Sequence, residues 1–194
     1  MSLSQPTRKV EYKAPGGAWT EIQDDVVDFD IWLRDLAAGM SEFNVTLDNS
    51  DGKYSKSGGT FPAFGAEGGF HYLMRFRVND AYLLVGRIVT ANPALKEKRV
   101  FKIHGRCLGQ QLNNLLIQDQ WIDWKADDVI ADALTKAGAT EVTFTSPSTA
   151  PKVTVDAMQN PRYLYDIIRE ICEQVDYAAF VKTQVAVTQG TLLF

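Results

Sequence analysis

His104 and Cys107 form a His-x-x-Cys pair, the residue types and spacing of half a zinc site. Zinc needs four ligands, or three and a water. The remaining donors of these types are His71 and Cys172, and Cys172 falls in the apolar stripe of a helical pattern. The pair is therefore read as two structural residues at a strand end. Asp24, Asp25, Asp28, Asp30 and Asp35 suggest calcium, but a calcium loop needs acids at alternating positions, a mid-loop glycine and a closing glutamate. Here the acids interleave with Val27, Phe29 and Ile31, as on the wet face of a strand. Asp48-Asn49-Ser50-Asp51-Gly52 imitates a calcium loop more closely, yet has no glutamate at the completing distance. Asp127, Asp128 and Asp132 could pass for a carboxylate site, although acids in a first helical turn are explained by the helix dipole.

Other chemistry lacks its frame. Gly105-Arg106-Cys107-Leu108-Gly109 is glycine-spaced but has no third glycine and no βαβ context for a dinucleotide. No Gly-x-Ser-x-Gly elbow and no Gly-x-x-x-x-Gly-Lys phosphate loop occurs. No catalytic, cofactor-binding or metal-ligating residue is assigned, no cofactor is expected, and the sequence does not read as an enzyme. Trp19, Trp32, Trp121 and Trp124 offer stacking platforms for a carbohydrate or peptide, though Trp121 and Trp124 also suit packing around a helix start. A hydrolase would have to draw its acid pair from the scattered aspartates, and this is the weakest of the functional readings.

The bulk numbers fit a globular chain. Of 194 residues, 45% are hydrophobic and 23% charged, ordinary values that allow a real core. A chain of this size hides roughly 70% of the surface its unfolded form exposes. A net charge of −4 argues against nucleic acid, which needs a concentrated basic surface. The nearest cluster, Lys96, Lys98 and Arg99, is interrupted by Glu97. No apolar run approaches the ~18 residues of a membrane span. Met1-Ser2-Leu3-Ser4 is short and polar, unlike a signal peptide. Cys107 and Cys172 could pair, but nothing in the spacing demands it, and both are read as buried thiols in a reducing compartment.

The elements that must position these residues change type along the chain. Val27, Phe29, Ile31 and Leu33 alternate with Asp28, Asp30, Trp32 and Arg34. Phe43, Val45 and Leu47 alternate with Glu42, Asn44, Thr46 and Asp48. A period of two places one face on a core and the other on water or a partner. The stretch 49–69 is rich in glycine and carries Phe61 and Phe64, with Phe70 just beyond. A loop of about 20 residues is long for a compact domain and points to disorder or binding, and its aromatics suggest that it orders against either its own barrel or a neighbouring subunit. A hairpin follows: Tyr72, Met74, Phe76 and Val78 on one face, a turn at Asn79-Asp80, and a return over Tyr82 to Val89. Gly86 marks a bulge or close approach, and Pro93 ends the strand. Arg99 to Gly105 forms another strand, with Phe101 and Ile103 opposite Lys102 and His104.

Leu108, Leu112, Leu115 and Leu116 then predict a short helix. Ala126, Val129, Ile130, Ala133, Leu134 and Ala137 predict an amphipathic one, stopped by Gly138. Asn160 as cap and Pro161 at the first position predict a third, with Leu164, Ile167, Ile168, Ile171, Cys172 and Val175 as its stripe. Short strands are expected at Val142 to Phe144, Val153 to Val155 and Tyr177 to Val181. Thr191 to Phe194 reads as a strand cut off without cap or tail, as in part of a longer chain.

Several segments together resemble the baseplate hub proteins of contractile-tailed phages, the late control D family, related to type VI secretion spike proteins. They are Phe43-x-Val45-x-Leu47-x-Asn49-Ser50-x-Gly52, Leu84-Val85-Gly86-Arg87-Ile88, Gly105 to Leu112, Trp124 to Leu134, and Asn160 to Ile171 with Tyr177 to Val181. The resemblance implies an α+β chain: a tail-tube-like antiparallel β-barrel domain over 1–117, then a mixed α/β domain over 118–194, the start of a second barrel-like domain. It also implies a homotrimer in which two barrel-like domains per chain mimic a sixfold ring, with tail tube and spike proteins as partners. The place implied is the virion tail, assembled in the bacterial host cytoplasm, with neither nucleic-acid contact nor membrane insertion. The alternative is a carbohydrate- or peptide-binding β-barrel module of a tail or surface assembly.

Overall fold

The computed structural model describes residues 7–35, 39–54, 72–79, 81–93, 99–140, 142–145, 150–177, 179–183 and 190–193. The chain forms two compact units, Met1–Trp32 with Glu42–Cys107, and Leu33–Ser41 with Leu108–Phe194. The fold is α+β, mostly antiparallel sheet, with the helices in the second unit.

The first unit is one seven-stranded antiparallel sheet. Its strands are β1 (Arg8–Lys13), β2 (Trp19–Glu21), β3 (Val26–Trp32), β4 (Glu42–Asp48), β5 (Leu73–Val78), β6 (Ala81–Pro93) and β7 (Val100–Cys107), in the order β2-β1-β5-β6-β7-β4-β3. Alternation predicts its inner face: Phe43, Val45 and Leu47 of β4, Met74 and Phe76 of β5, and Phe101 and Ile103 of β7 are buried. Burying each such side chain contributes roughly 1.5–3 kcal/mol. The sheet rolls up: Phe29 on edge strand β3 lies 5.6 Å from the Phe76 ring on β5 and beneath Arg8 of β1 at 5.8 Å. Among the described residues its hydrogen-bonded ladder stays open between β2 and β3.

Two glycines make this curvature possible. A Cβ on Gly86 would lie 2.3 Å from the Arg106 carbonyl oxygen and 2.7 Å from the Phe43 ring. One on Gly105 would lie 2.0 Å from that ring and 2.5 Å from the Arg87 carbonyl oxygen. Gly86 is thus a close approach and not a bulge; the register shift in the β6–β7 pair falls between Ile88 and Thr90.

Alternation misleads in β3. A register shift between Val26 and Asp28 leaves Val27 outside the pairing and 62% exposed. Leu33, expected on the same face, lies past the end of β3 and is exposed. The hairpin turns as expected, with Asn79 at φ +48. Asp80, the aromatics Phe61, Phe64 and Phe70, His71 and the cluster Lys96 to Lys98 lie outside the described residues.

The second unit holds β8 (Leu116–Ile117), β9 (Gln120–Lys125), α1 (Ala126–Lys136), β10 (Val142–Thr145), β11 (Lys152–Asp156), β12 (Arg162–Tyr163), α2 (Leu164–Val175), β13 (Phe180–Thr183) and β14 (Gly190–Leu193). β9 pairs with β11 and β8 with β12, both antiparallel, while β14 joins β10 in parallel and β13 antiparallel. Both helices bury most of their predicted stripes, Ala126, Val129, Ile130, Ala133 and Leu134 on α1, and Leu164, Ile167, Ile168, Ile171 and Cys172 on α2, whereas Ala137, the C-cap of α1, and Val175 at the end of α2 are only half-buried. Gly138 at φ +66 closes α1, and Asp176 at φ +56 ends α2.

Two expected helix boundaries need correction. The leucine cluster forms a 3-10 helix over Leu108–Asn113, and Leu116 instead sits exposed in β8. Asn160 and Pro161 do not open α2, because Arg162 and Tyr163 pair with Ile117 and Leu116; the helix starts at Leu164, without a side-chain cap.

The packing at Gly105 yields a direct test. Gly105→Ala should destabilise the protein by at least about 3 kcal/mol, the upper range for overpacking, because a backbone carbonyl as well as a ring blocks the new methyl. Phe43→Leu in the same background should recover part of that loss, a coupling readable in a denaturant double-mutant cycle.

Candidate functional site

The residues with chemical potential are spread over separate parts of the two units, and several pair with a neighbour. His104 and Cys107 sit on opposite faces of β7. The imidazole Nδ1 lies 3.0 Å from the Asn44 side-chain oxygen on the outer face, and Cys107 points into the core. Both cysteines are buried, and they are not joined in a disulfide. Burial pushes the Cys172 thiol up to about 11, with a further contribution from the Asp35 carboxylate, so it stays protonated and unreactive.

The acidic runs separate as well. Asp28 and Asp30 face outward along β3 beside Thr46 and Asn44. Asp25 instead accepts hydrogen bonds from the Tyr54 hydroxyl and the Lys53 ammonium, each at 2.5 Å. Tyr54 is fully buried, and burial with that hydrogen bond raises its pKa. In the calcium-like loop the side chains turn back on their own backbone. Asp48 accepts from the Ser50 amide, Asp51 from the Lys53 amide, and buried Asn49 from the Tyr54 amide. Among the described residues, no three His, Cys, Asp or Glu side chains are grouped to hold a metal ion.

The helix acids likewise divide. Asp127 and Asp128 occupy the first turn of α1. Asp132 accepts from the Trp121 indole N–H at 2.7 Å and from Lys136 at 2.6 Å, and Lys136 also reaches Asp119 at 2.5 Å. The hydrogen bonds to Asp119 and Asp132 raise the Lys136 pKa, and Lys136 in turn lowers that of Asp119. Trp121 is therefore a core residue packed on α1, as one expectation had it, whereas Trp124 stays 45% exposed.

What the first unit does present is a polar outer face of cross-strand pairs. Glu42 meets Arg106 at 3.1 Å, Asn44 opposes His104 and Thr46 opposes Lys102. On the β1–β5 side, Arg75 forks onto Glu11 through two hydrogen bonds of 2.6 and 2.7 Å, and its guanidinium lies 4.3 Å from the Trp19 ring centroid and 5.2 Å from that of Tyr82. Sequence reading missed this cluster. Glu11 and Arg75 are 64 positions apart, and nothing local marks them as neighbours.

No protein-family model matches the chain, and no curated protein matches its sequence. Solved structures do match. The tail protein of Neisseria meningitidis superposes with a TM-score of 0.64 at 13% identity, covering 96% of this chain and 49% of that one. A prophage tail protein from Shewanella oneidensis gives 0.64 at 14% identity, covering 96% and 53%. This chain has the fold of phage tail proteins. An Escherichia coli component of the type VI secretion system, itself similar to bacteriophage T4 tail proteins, aligns with a TM-score of 0.53 at 9% identity, covering 97% and 45%. The tail-protein fold thus extends over nearly the whole chain, and the chain spans about half the length of the structures it matches.

Within this fold the Glu11–Arg75 pair has a pH signature. The Arg75 hydrogen bonds hold the Glu11 carboxyl below its ordinary value, against the opposing effect of burial. A depressed folded-state pKa contributes stability that is present above the unfolded value and lost as pH falls through the folded one. Glu11→Gln should cost about 3 kcal/mol near neutral pH by leaving Arg75 without its carboxylate. The gap between variant and parent should narrow below the ordinary glutamate range in urea titrations at successive pH values.

Proposed function

We propose that the chain is a structural component of a phage or prophage tail: the part of a baseplate hub that assembles into a ring, initiates or caps the tail tube and carries the spike. The observation that carries this reading is the match of both units, over nearly the full chain, to tail proteins. The segments singled out in the sequence point to the same family independently of the superposition. On this reading the two domains are the barrel-like 1–117 and the mixed 118–194, the assembly is a homotrimer, and the neighbours are tail tube and spike proteins. The protein works without catalysis, in the virion tail, after assembly in the host cytoplasm.

The physical features of the first unit support self-association. Its open, rolled sheet leaves β2 and β3 as end strands, and end strands are where further chains add. Its outer face carries alternating charge and aromatic groups of the kind that fix register between subunits at modest cost. No helix among the described residues is long and apolar enough to cross a membrane.

Size-exclusion chromatography with light scattering is the test. The full-length protein should run at three times its chain mass. A strict monomer at the highest soluble concentration would overturn the trimer, and failure to co-purify with tube or spike proteins would overturn the hub assignment.

A further inference from the structure

Beside the start of α1 lies an open groove of about 590 Å³, lined by Asp123, Trp124 and Lys125 of β9, Asp128 and Ala131 of α1, and Lys152 of β11. We propose that this groove binds a neutral oligosaccharide. The inference is independent of the tail-hub reading, and each can fail without the other.

The strand changes register just before its second tryptophan. Between Val153 and Val155 the β9–β11 register shifts, Asp123 adopts φ +58, and its amide donates to the Thr154 hydroxyl at 3.3 Å. The two tryptophans of β9 then part ways. Trp121 is buried with its indole N–H bonded to Asp132, whereas Trp124 leaves 45% of its surface open in the groove. A half-exposed indole offers a flat apolar face with a polar edge. A sugar ring is the complementary shape, with C–H groups on one face and hydroxyls around its rim.

The charges select the same class. Asp123 and Asp128 supply two carboxylates, and Lys125 and Lys152 two ammoniums, so the lining sums to zero. Such a site holds neither an anion nor a cation by net field, but it can accept from and donate to hydroxyl groups, which do both. The Asp123–Lys152 ion pair at 2.5 Å lies along one wall, and both partners remain largely exposed and so accessible to hydroxyl groups. The groove is shallow and wide open to solvent, which suits a chain that lies across it.

Calorimetric titration of the 194-residue protein with a β-linked glucose hexamer and with an N-acetylglucosamine hexamer tests this. At least one should bind with a Kd of about 1 mM or tighter, and Trp124→Ala should weaken binding about tenfold or more. Asp128→Asn should weaken it less. Both side chains are exposed, so the circular dichroism of the variants should match the parent. The Trp124 indole N–H resonance, assigned by its loss in Trp124→Phe, should shift on titration. No binding of either hexamer at about 10 mM overturns the proposal. So does binding that survives Trp124→Ala, or a Trp124 resonance that responds to an extended peptide and to neither sugar.

Discussion

The seating of one phenylalanine against two glycines shapes the first unit. Phe43 on β4 presses its ring on the backbones of β6 and β7 where Gly86 and Gly105 leave room, and it touches Phe76 on β5 with ring centroids 4.9 Å apart. Phe76 in turn meets Phe29 on the far edge strand. This chain of three rings links β5 to the neighbouring pair β4 and β3, from which β6 and β7 separate it in the sheet, and so fixes how far the sheet rolls. A side chain at either glycine would lift Phe43 off the backbone and flatten the sheet. The outward pairs depend on the same curvature, because cross-strand partners meet only when the register that buries Phe43, Val45 and Leu47 is kept.

That dependence explains why the polar groups resolve into pairs. Each strand that buries an apolar row must present the intervening residues outward, and neighbouring rows of opposite character then satisfy one another: Glu42 with Arg106, Asn44 with His104, Glu11 with Arg75. In the second unit, Lys136 gathers Asp119 and Asp132 while the Trp121 indole holds Asp132 from the core side. Both bonds fall on one oxygen of Asp132, Oδ2, and hold the carboxylate in position between α1 and β9.

The core was legible where a local period expressed it. The alternating rows of β4 and β7 and the helical stripes of α1 and α2 appear in the sequence because a single face is buried over several successive residues. Three features escaped for physical reasons. The shift at Val27 is decided by pairing with β4 and leaves no trace in the alternation of β3 itself. The late start of α2 is a tertiary override, since Arg162 and Tyr163 gain strand pairing with β8 that outweighs an early helical turn at Asn160 and Pro161. The Glu11–Arg75–Trp19 cluster is assembled by pairing between β1, β2 and β5, so no window of sequence contains it. The glycine spacing around Gly105 was visible, but its meaning required the Phe43 ring that fills the space.

The same logic separates what the two units leave open. In the first, acids that could have formed an ion site fold back onto turn amides and onto Lys53 and Tyr54, which ties the start of the glycine-rich segment to the Asp25 turn. In the second, β9 passes through Asp123 in a left-handed conformation that an L-residue adopts only at a cost of order 1 kcal/mol or more. Asparagine, aspartate and glycine tolerate such a position best, and the aspartate present also pairs with Lys152. Plain alternation would set Trp124 on the face opposite Trp121; the shift instead pairs Trp121 with Val155 and Trp124 with Val153, and Trp124 stays 45% exposed there. The half-open indole and the balanced charges around it, and not the register shift, carry the proposed sugar site.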